Sequence, residues 1–297
     1  MLFDVLSESP VIFSVACLVL GLLVGSFLNV VIYRLPIMLE RGWQQECEAY
    51  LAQSENNEVS EPPHQPEKNP TFNLAKPDSH CPHCQHKISP WENIPVISFL
   101  LLGGKCRSCK SSISYRYPLV ELLTGVLSFI VAHHFGFGFP ALFALVLTWS
   151  LIALSLIDYD TQLLPDVITL PLVWLGLLLS LWSVYVDSAT SIIGAVAGYM
   201  VLWTIYQLFK LATGKEGMGF GDFKLLAVLG AWLGWQYIPT IILLSSLAGA
   251  VIGISLIVLK KHNKNKPIPF GPYLAIAGWL ALIWGEEINN MYLKTIL

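Results

Sequence analysis

From residue 11 to residue 33 the chain runs for 23 residues without a charged side chain. As a helix, that stretch can span the roughly 30 Å hydrocarbon core of a bilayer, because about 20 apolar residues suffice. It lacks a basic start and a small-residue cleavage site, so it reads as a retained helix and not a removed signal peptide. Seven more apolar segments follow, at about 117–137, 140–157, 167–186, 189–211, 225–238, 240–259 and 270–284. The segment 225–238 is short and is expected to tilt or to run past Pro239. Segment 94–102 is too short to span and is expected at the interface. Charged residues make up only 12% of the chain, against about 25% in an average soluble domain. That excludes an ordinary soluble enzyme and a disordered chain, and a net charge of −3 excludes a nucleic-acid binder. The expected fold is an all-α polytopic membrane protein with about eight transmembrane helices and a small cytoplasmic zinc-knuckle domain.

The lysines and arginines set the orientation. Nine lie between Arg34 and Arg116, Lys210, Lys215 and Lys224 fall in a later loop, and Lys260, Lys261, Lys264 and Lys266 in the next. Eight spans put these three loops on one face, which should be cytoplasmic, and leave only Lys294 on the other. The chain then divides into a first transmembrane helix (1–33), a cytoplasmic domain (34–116) and a helical transmembrane core (117–297). Within the cytoplasmic domain, residues 42–79 are acidic and proline-containing and read in part as a flexible insert. No internal repeat is evident.

Two Cys-x-x-Cys pairs, Cys81/Cys84 and Cys106/Cys109, can offer four thiolates in the tetrahedral array that zinc takes. Four sulfurs leave no open position for water, so such a zinc would be structural. Two disulfides are the alternative, disfavoured in a reducing compartment. His80, His83 and His86 are neighbours that could replace one thiolate. Cys17 and Cys47 read as plain thiols.

Carboxylates at membrane-helix ends are costly and are functional candidates. Asp158 and Asp160 close one apolar segment, Asp166 opens the next after Pro165, and Asp222 follows Gly219-Phe220-Gly221. Asp166 suits helix capping and Asp160 suits solvation. Asp158 lies at a helix C-terminus, where the dipole disfavours negative charge. Asp222 follows two glycines that allow close backbone approach. Brought together, Asp158 and Asp222 would form a carboxyl pair, one member activating water and the other polarising a scissile carbonyl. Helix dipoles alone would make Asp222 the base and Asp158 the proton donor.

With these residues in view, the chain resembles the bacterial type IV prepilin peptidases, or leader peptidase/N-methyltransferases. The resemblance is carried by Gly25-Ser26-Phe27-Leu28-Asn29 through Arg34-Leu35-Pro36, both cysteine pairs with Trp91-Glu92-Asn93-Ile94-Pro95 between them, Arg116-Tyr117-Pro118-Leu119-Val120-Glu121, the run 158–166, and Gly219 to Asp222. It covers nearly the whole chain and implies a multi-pass protein of the bacterial inner membrane, with the zinc domain and the aspartates on the cytoplasmic side. The expected activity is cleavage of the leader from type IV prepilins and type II secretion pseudopilins, followed by methylation of the new N-terminal residue with S-adenosylmethionine. It implies Asp158 and Asp222 as the aspartyl protease pair of the Gly-x-Gly-Asp type, and Cys81, Cys84, Cys106 and Cys109 as zinc ligands. The expected partners are these precursors and membrane lipid, with no nucleic acid.

Two other readings stand beside this one. An ion-coupled transporter would use intramembrane carboxylates, but near the midplane and not at one edge. A zinc-knuckle scaffold would need the cysteines and not the aspartates. No glycine-rich nucleotide loop marks a site for the methyl donor. Glu92, Arg116 and Glu121 are polar candidates there, with nothing to choose among them.

Overall fold

A computed structural model of the chain describes residues 6–55, 72–259 and 268–296. The long helices are α1 (Pro10–Glu55), α3 (Arg116–Phe135), α4 (Phe139–Thr161), α5 (Asp166–Ser180), α6 (Ser188–Thr213), α7 (Phe220–Leu233), α8 (Ile238–Val258) and α9 (Gly271–Ile296). A short helix, α2 (Ile97–Leu101), lies between α1 and α3. Among the described residues there is no strand, only two isolated bridges. Each of the eight apolar segments corresponds to a helix. By length and composition, five helical stretches can cross a membrane: Pro10–Ala52, Arg116–Phe135, Phe139–Thr161, Ser188–Thr213 and Trp235–Ser255. Asp166–Ser180 is apolar but shorter. Eight is the count that the loop charges call for, and among the described residues length with hydropathy supports five. Lys260, Lys261, Lys264 and Lys266 lie outside the described residues.

The chain forms two compact units. One is Val19–Val126. Here α1 does not stop near residue 33 but continues to Glu55, with Pro36 inside it. Residues 42–55 of the expected flexible insert are therefore helical, and residues 56–71 lie outside the described part. The acidic composition reads as a solvated loop, yet Met38, Leu39, Glu40, Arg41 and the later Gln, Glu, Ala and Leu residues are good helix formers. The buried guanidinium of Arg34 donates to the carbonyls of Asn73 (3.1 Å), Leu74 (3.4 Å) and Pro77 (2.6 Å) and so ties the returning loop to α1. Gly25 of α1 lies so close to α3 that an added Cβ would meet Glu121 Cα at 2.7 Å.

The same unit holds an internal repeat that the sequence reading missed. Cys81 N–H donates to His86 O, Gln85 N–H to Cys81 O and Ile88 N–H to Ser79 O. Cys106 N–H donates to Ser111 O, Lys110 N–H to Cys106 O and Ile113 N–H to Gly104 O. The second set repeats the first 25 residues later, down to positive φ at Gln85 (59°) and Lys110 (60°). Two copies of one knuckle thus present the two cysteine pairs.

The other unit, Met1–Leu18 with Leu127–Leu297, is built around α7. Every residue of α7 from Leu225 to Leu233 is buried. A 14-residue helix spans only about 21 Å, and α7 lies packed among its neighbours along that length. Small residues let α6 reach it. An added Cβ at Gly198 would meet Leu226 O at 2.5 Å, and Gly194 and Gly230 lie against each other's carbonyls. That is close packing of the small-x-x-x-small kind. Several polar groups in the interior are paired. Ser191 donates to Ala231 O (2.6 Å), Trp232 to Leu172 O (2.8 Å) and Trp279 to Thr148 (3.1 Å).

Gly198→Val is expected to cost about 1–3 kcal/mol by forcing α6 and α7 apart. Gly42→Ala meets nothing within 4 Å and is expected to stabilise α1 by up to about 1 kcal/mol. Thermal unfolding in detergent should separate the two variants in opposite directions from wild type.

Candidate active site

Asp158 and Asp222 reach one end of the helical unit from different helices. Asp158 sits in the last turn of α4, which ends where Gln162 turns left-handed and donates its N–H back to Asp158 O. Asp222 sits in the first turn of α7, after Gly219 at the N-cap. Both are buried, at 5% and 7% exposure. Asp158 Oδ2 accepts the N–H of Gly271, the first residue of α9, at 2.9 Å. Helix N-termini leave such donors free, so the start of α9 offsets the unfavourable end of α4. An added Cβ at Gly271 would lie 2.6 Å from that oxygen, so this approach needs glycine.

Leu164 packs between the starts of α7 and α9. Its side chain lies where a Cβ on Gly221 would stand (2.7 Å) and within 3.3 Å of one on Gly271. The helix start that carries Asp222 and the Gly271 that binds Asp158 thus pack on the same leucine. Asp222 Oδ1 is buried with no hydrogen-bond partner among the described residues. Buried polar atoms are rarely left so, and one that is can serve a ligand.

The neighbouring aspartates differ from expectation. The Asp166 side chain does not cap α5. The N-cap is Pro165, which has no side chain to accept with, and Asp166 is bound to Lys224 by bonds of 2.6 and 2.7 Å. Asp160 is exposed, as expected of a solvated residue. Neither Gly271 nor Lys224 was singled out as a partner from sequence. The Gly271-Pro272 pair at a helix start was the only local signal for the first.

In the knuckle unit the four thiols of Cys81, Cys84, Cys106 and Cys109 lie within 4.8 Å of one another. Cys81 and Cys109 sulfurs are 3.8 Å apart, and those of Cys84 and Cys106 3.9 Å. A disulfide needs about 2.05 Å, and all four cysteines are free. Sulfurs at about 2.3 Å from a tetrahedral zinc stand about 3.8 Å apart, so these residues fit that metal. Backbone N–H groups of Cys84 and His83 pull the Cys81 thiol down to about 6. The hydroxyl and N–H of Ser111 lower Cys109. The His86 N–H lowers Cys84, but burial and hydrogen bonds with the other thiols outweigh it and leave Cys84 raised to about 11. His80 Nδ1 and His86 Nε2 are engaged elsewhere, with Asp78 O and Glu92.

Glu92 bridges the knuckles. Its carboxylate accepts from Ser89 N–H (2.9 Å), Ser89 Oγ (3.0 Å) and His86 (3.3 Å), and Arg107 approaches at 3.7 Å. The Ser89 donors hold it below the usual carboxylate range. Glu121 is buried in α3 and accepts Val96 N–H at 2.8 Å. Val96 has φ of 60°, a strained conformation for a β-branched residue. Arg116 opens α3.

With this geometry established, comparison with known proteins is informative. Residues 19–135 match the bacterial peptidase A24 N-terminal domain, and residues 145–254 match the type IV leader peptidase family. The prepilin leader peptidase/N-methyltransferase of Stutzerimonas stutzeri is 55% identical over 98% of this chain and 97% of its own length. The chain belongs to the type IV leader peptidase family. Other members of that name include those of Aeromonas salmonicida, 58% identical over 93% of this chain and 92% of theirs, and of Neisseria gonorrhoeae, 51% identical over 91% and 90%. No solved structure matches. In this member of the leader peptidase family, Asp158 and Asp222 fall within the second matched region and the four cysteines within the first.

The thiolate is the reactive form of cysteine. In metal-stripped protein at pH 7.5, exposed Cys109, whose pKa is lowered, is therefore expected to react with iodoacetamide before Cys84, whose pKa is raised. Peptide mass spectrometry at timed intervals would show this order, and equal rates would contradict it.

Proposed function

We propose that this chain is a two-activity enzyme of the bacterial inner membrane. It removes the leader of type IV prepilins, and of pseudopilins of the same design, and then methylates the exposed N-terminal amine. The observation that carries the reading is the burial of two carboxyls, Asp158 and Asp222, at helix ends far apart in sequence but linked through Gly271 and Leu164, one with an oxygen that no group among the described residues engages. A leader followed at once by an apolar helix puts its scissile bond at the membrane edge, where carboxylates at helix ends can reach it.

Asp158 and Asp222 act as one pair. Asp158, with Oδ2 already accepting from Gly271 N–H, takes a proton from water as the water oxygen attacks the scissile carbonyl carbon. Asp222, with Oδ1 unengaged, donates a proton to the carbonyl oxygen. Hydrogen bonding thus reverses the roles that helix dipoles alone would assign. The tetrahedral diol collapses, the C–N bond breaks, and the leaving amine takes up a proton, giving a leader carboxylate and a new N-terminus. The amine is then the group methylated, with S-adenosylmethionine as the donor.

Cys81, Cys84, Cys106 and Cys109 would hold one zinc ion, which would supply cross-linking of the two knuckles and no reactive position. This domain and the aspartates face the cytoplasm in this reading, which the lysines and arginines of the loops support.

Asp158→Asn and Asp222→Asn keep shape but lose the carboxylate. Each is expected to lower cleavage of a purified prepilin in detergent by at least about 10²-fold with an unchanged melting temperature. Wild type should add a methyl-sized mass to the product only with S-adenosylmethionine. Wild-type cleavage by either variant would overturn the pair. Cys106→Ser should lose bound zinc by elemental analysis, and retention of one zinc per chain would overturn the knuckle assignment.

A further inference from the structure

The ion pair between Asp166 and Lys224 lies next to the carboxyl pair without belonging to it. Lys224 Nζ donates to both carboxylate oxygens of Asp166, at 2.6 and 2.7 Å. Asp166 is 53% exposed and Lys224 28%. An ion pair this open adds little to stability, so its geometry calls for another reason. Helix capping is not that reason, since no side chain caps α5.

The neighbours on each side supply one. Lys224 is two residues beyond Asp222, within the first turns of α7. Asp166 is two residues beyond Leu164, the side chain that packs where Gly221 and Gly271 leave room. Pro165 between them restricts the backbone at that point. The ion pair therefore joins the start of α7 to the turn 162–165, which continues directly from the end of α4 and whose Leu164 packs against the starts of α7 and α9.

We propose that Asp166 and Lys224 are positioning residues, a latch that fixes the first turn of α7 so that Asp222 stands in working register with Asp158. This rests on the reading of Asp158 and Asp222 as the catalytic pair. Neither latch residue touches the reacting atoms. Releasing it lets the α7 turn and the 162–165 turn move apart by a fraction of an ångström to an ångström. A misplacement of about 1 Å at a reacting group can cost about 10²-fold in rate.

The test uses the full chain in detergent with a purified prepilin. Lys224→Met, Asp166→Asn, the exchange Asp166→Lys with Lys224→Asp, and Asp222→Asn are measured side by side for kcat, KM and melting temperature. The latch predicts that each single variant loses about 10- to 100-fold in kcat. KM should stay within about twofold and the melting transition should be kept. The exchange should recover most of kcat, because it restores the pair in reverse. A contact between Lys224 and substrate would instead raise KM and would not be rescued by the exchange, and that result overturns the proposal. So do singles with wild-type kcat, or singles that lose kcat only by losing the folded transition. If Asp222→Asn is inactive while the singles are normal, the latch alone falls. If Asp222→Asn cuts normally, the catalytic reading falls with it.

Discussion

Backbone contact between α6 and α7 at Gly194, Gly198 and Gly230 fixes the rest of the helical unit. Without side chains at these points the two helices approach until carbonyls and Cα atoms touch, and α7 is drawn to the centre of its neighbours. Once α7 is central, Asp222 and Phe223 in its first turn are buried, although Phe220 before them is exposed. Trp232 bonded to Leu172 O and Ser191 bonded to Ala231 O hold the far end of the same helix. A buried carboxyl is therefore a consequence of helix packing.

The second carboxyl comes by a different route. Asp158 would be poorly placed at the end of α4 alone, because the helix dipole opposes a negative charge there. The start of α9 supplies the missing donor through Gly271. Leu164 fills the space that Gly221 and Gly271 leave, so two glycines and one leucine bring three helix ends to one point. The site is assembled by close approach. A larger residue at either glycine would push the carboxyls apart without altering any group that carries the chemistry.

Much of this was legible in the sequence because it is local. Eight apolar segments gave eight helices, and two Cys-x-x-Cys pairs gave a cluster with tetrahedral spacing. What was not legible is non-local or lies in the backbone. The knuckle repeat is written in hydrogen bonds and in the positive φ of Gln85 and Lys110, while apart from the cysteines and the Ile88/Ile113 pair most side chains at matching positions differ. Asp166 looked like a cap because its partner, Lys224, is 58 residues away, and Gly271 is 113 residues from Asp158. The continuation of α1 to Glu55 was read as an insert because acidic, polar composition serves an exposed helix as well as a loop. Dipole reasoning treats each of the two aspartates from its own helix alone and has no access to the Gly271 N–H that a third helix brings to Asp158.

The most direct measurement of the central claim is the affinity of a prepilin-derived peptide whose scissile bond is replaced by a hydroxyethylene group. That group mimics the tetrahedral diol, and an enzyme built for the transition state binds such a mimic far more tightly than the substrate. Binding to wild type should exceed that of the parent peptide by about 10²-fold or more. The advantage should vanish in both Asp158→Asn and Asp222→Asn, while the parent peptide binds all three proteins alike. Equal preference for the mimic in wild type and in both variants would contradict a catalytic role for the buried pair.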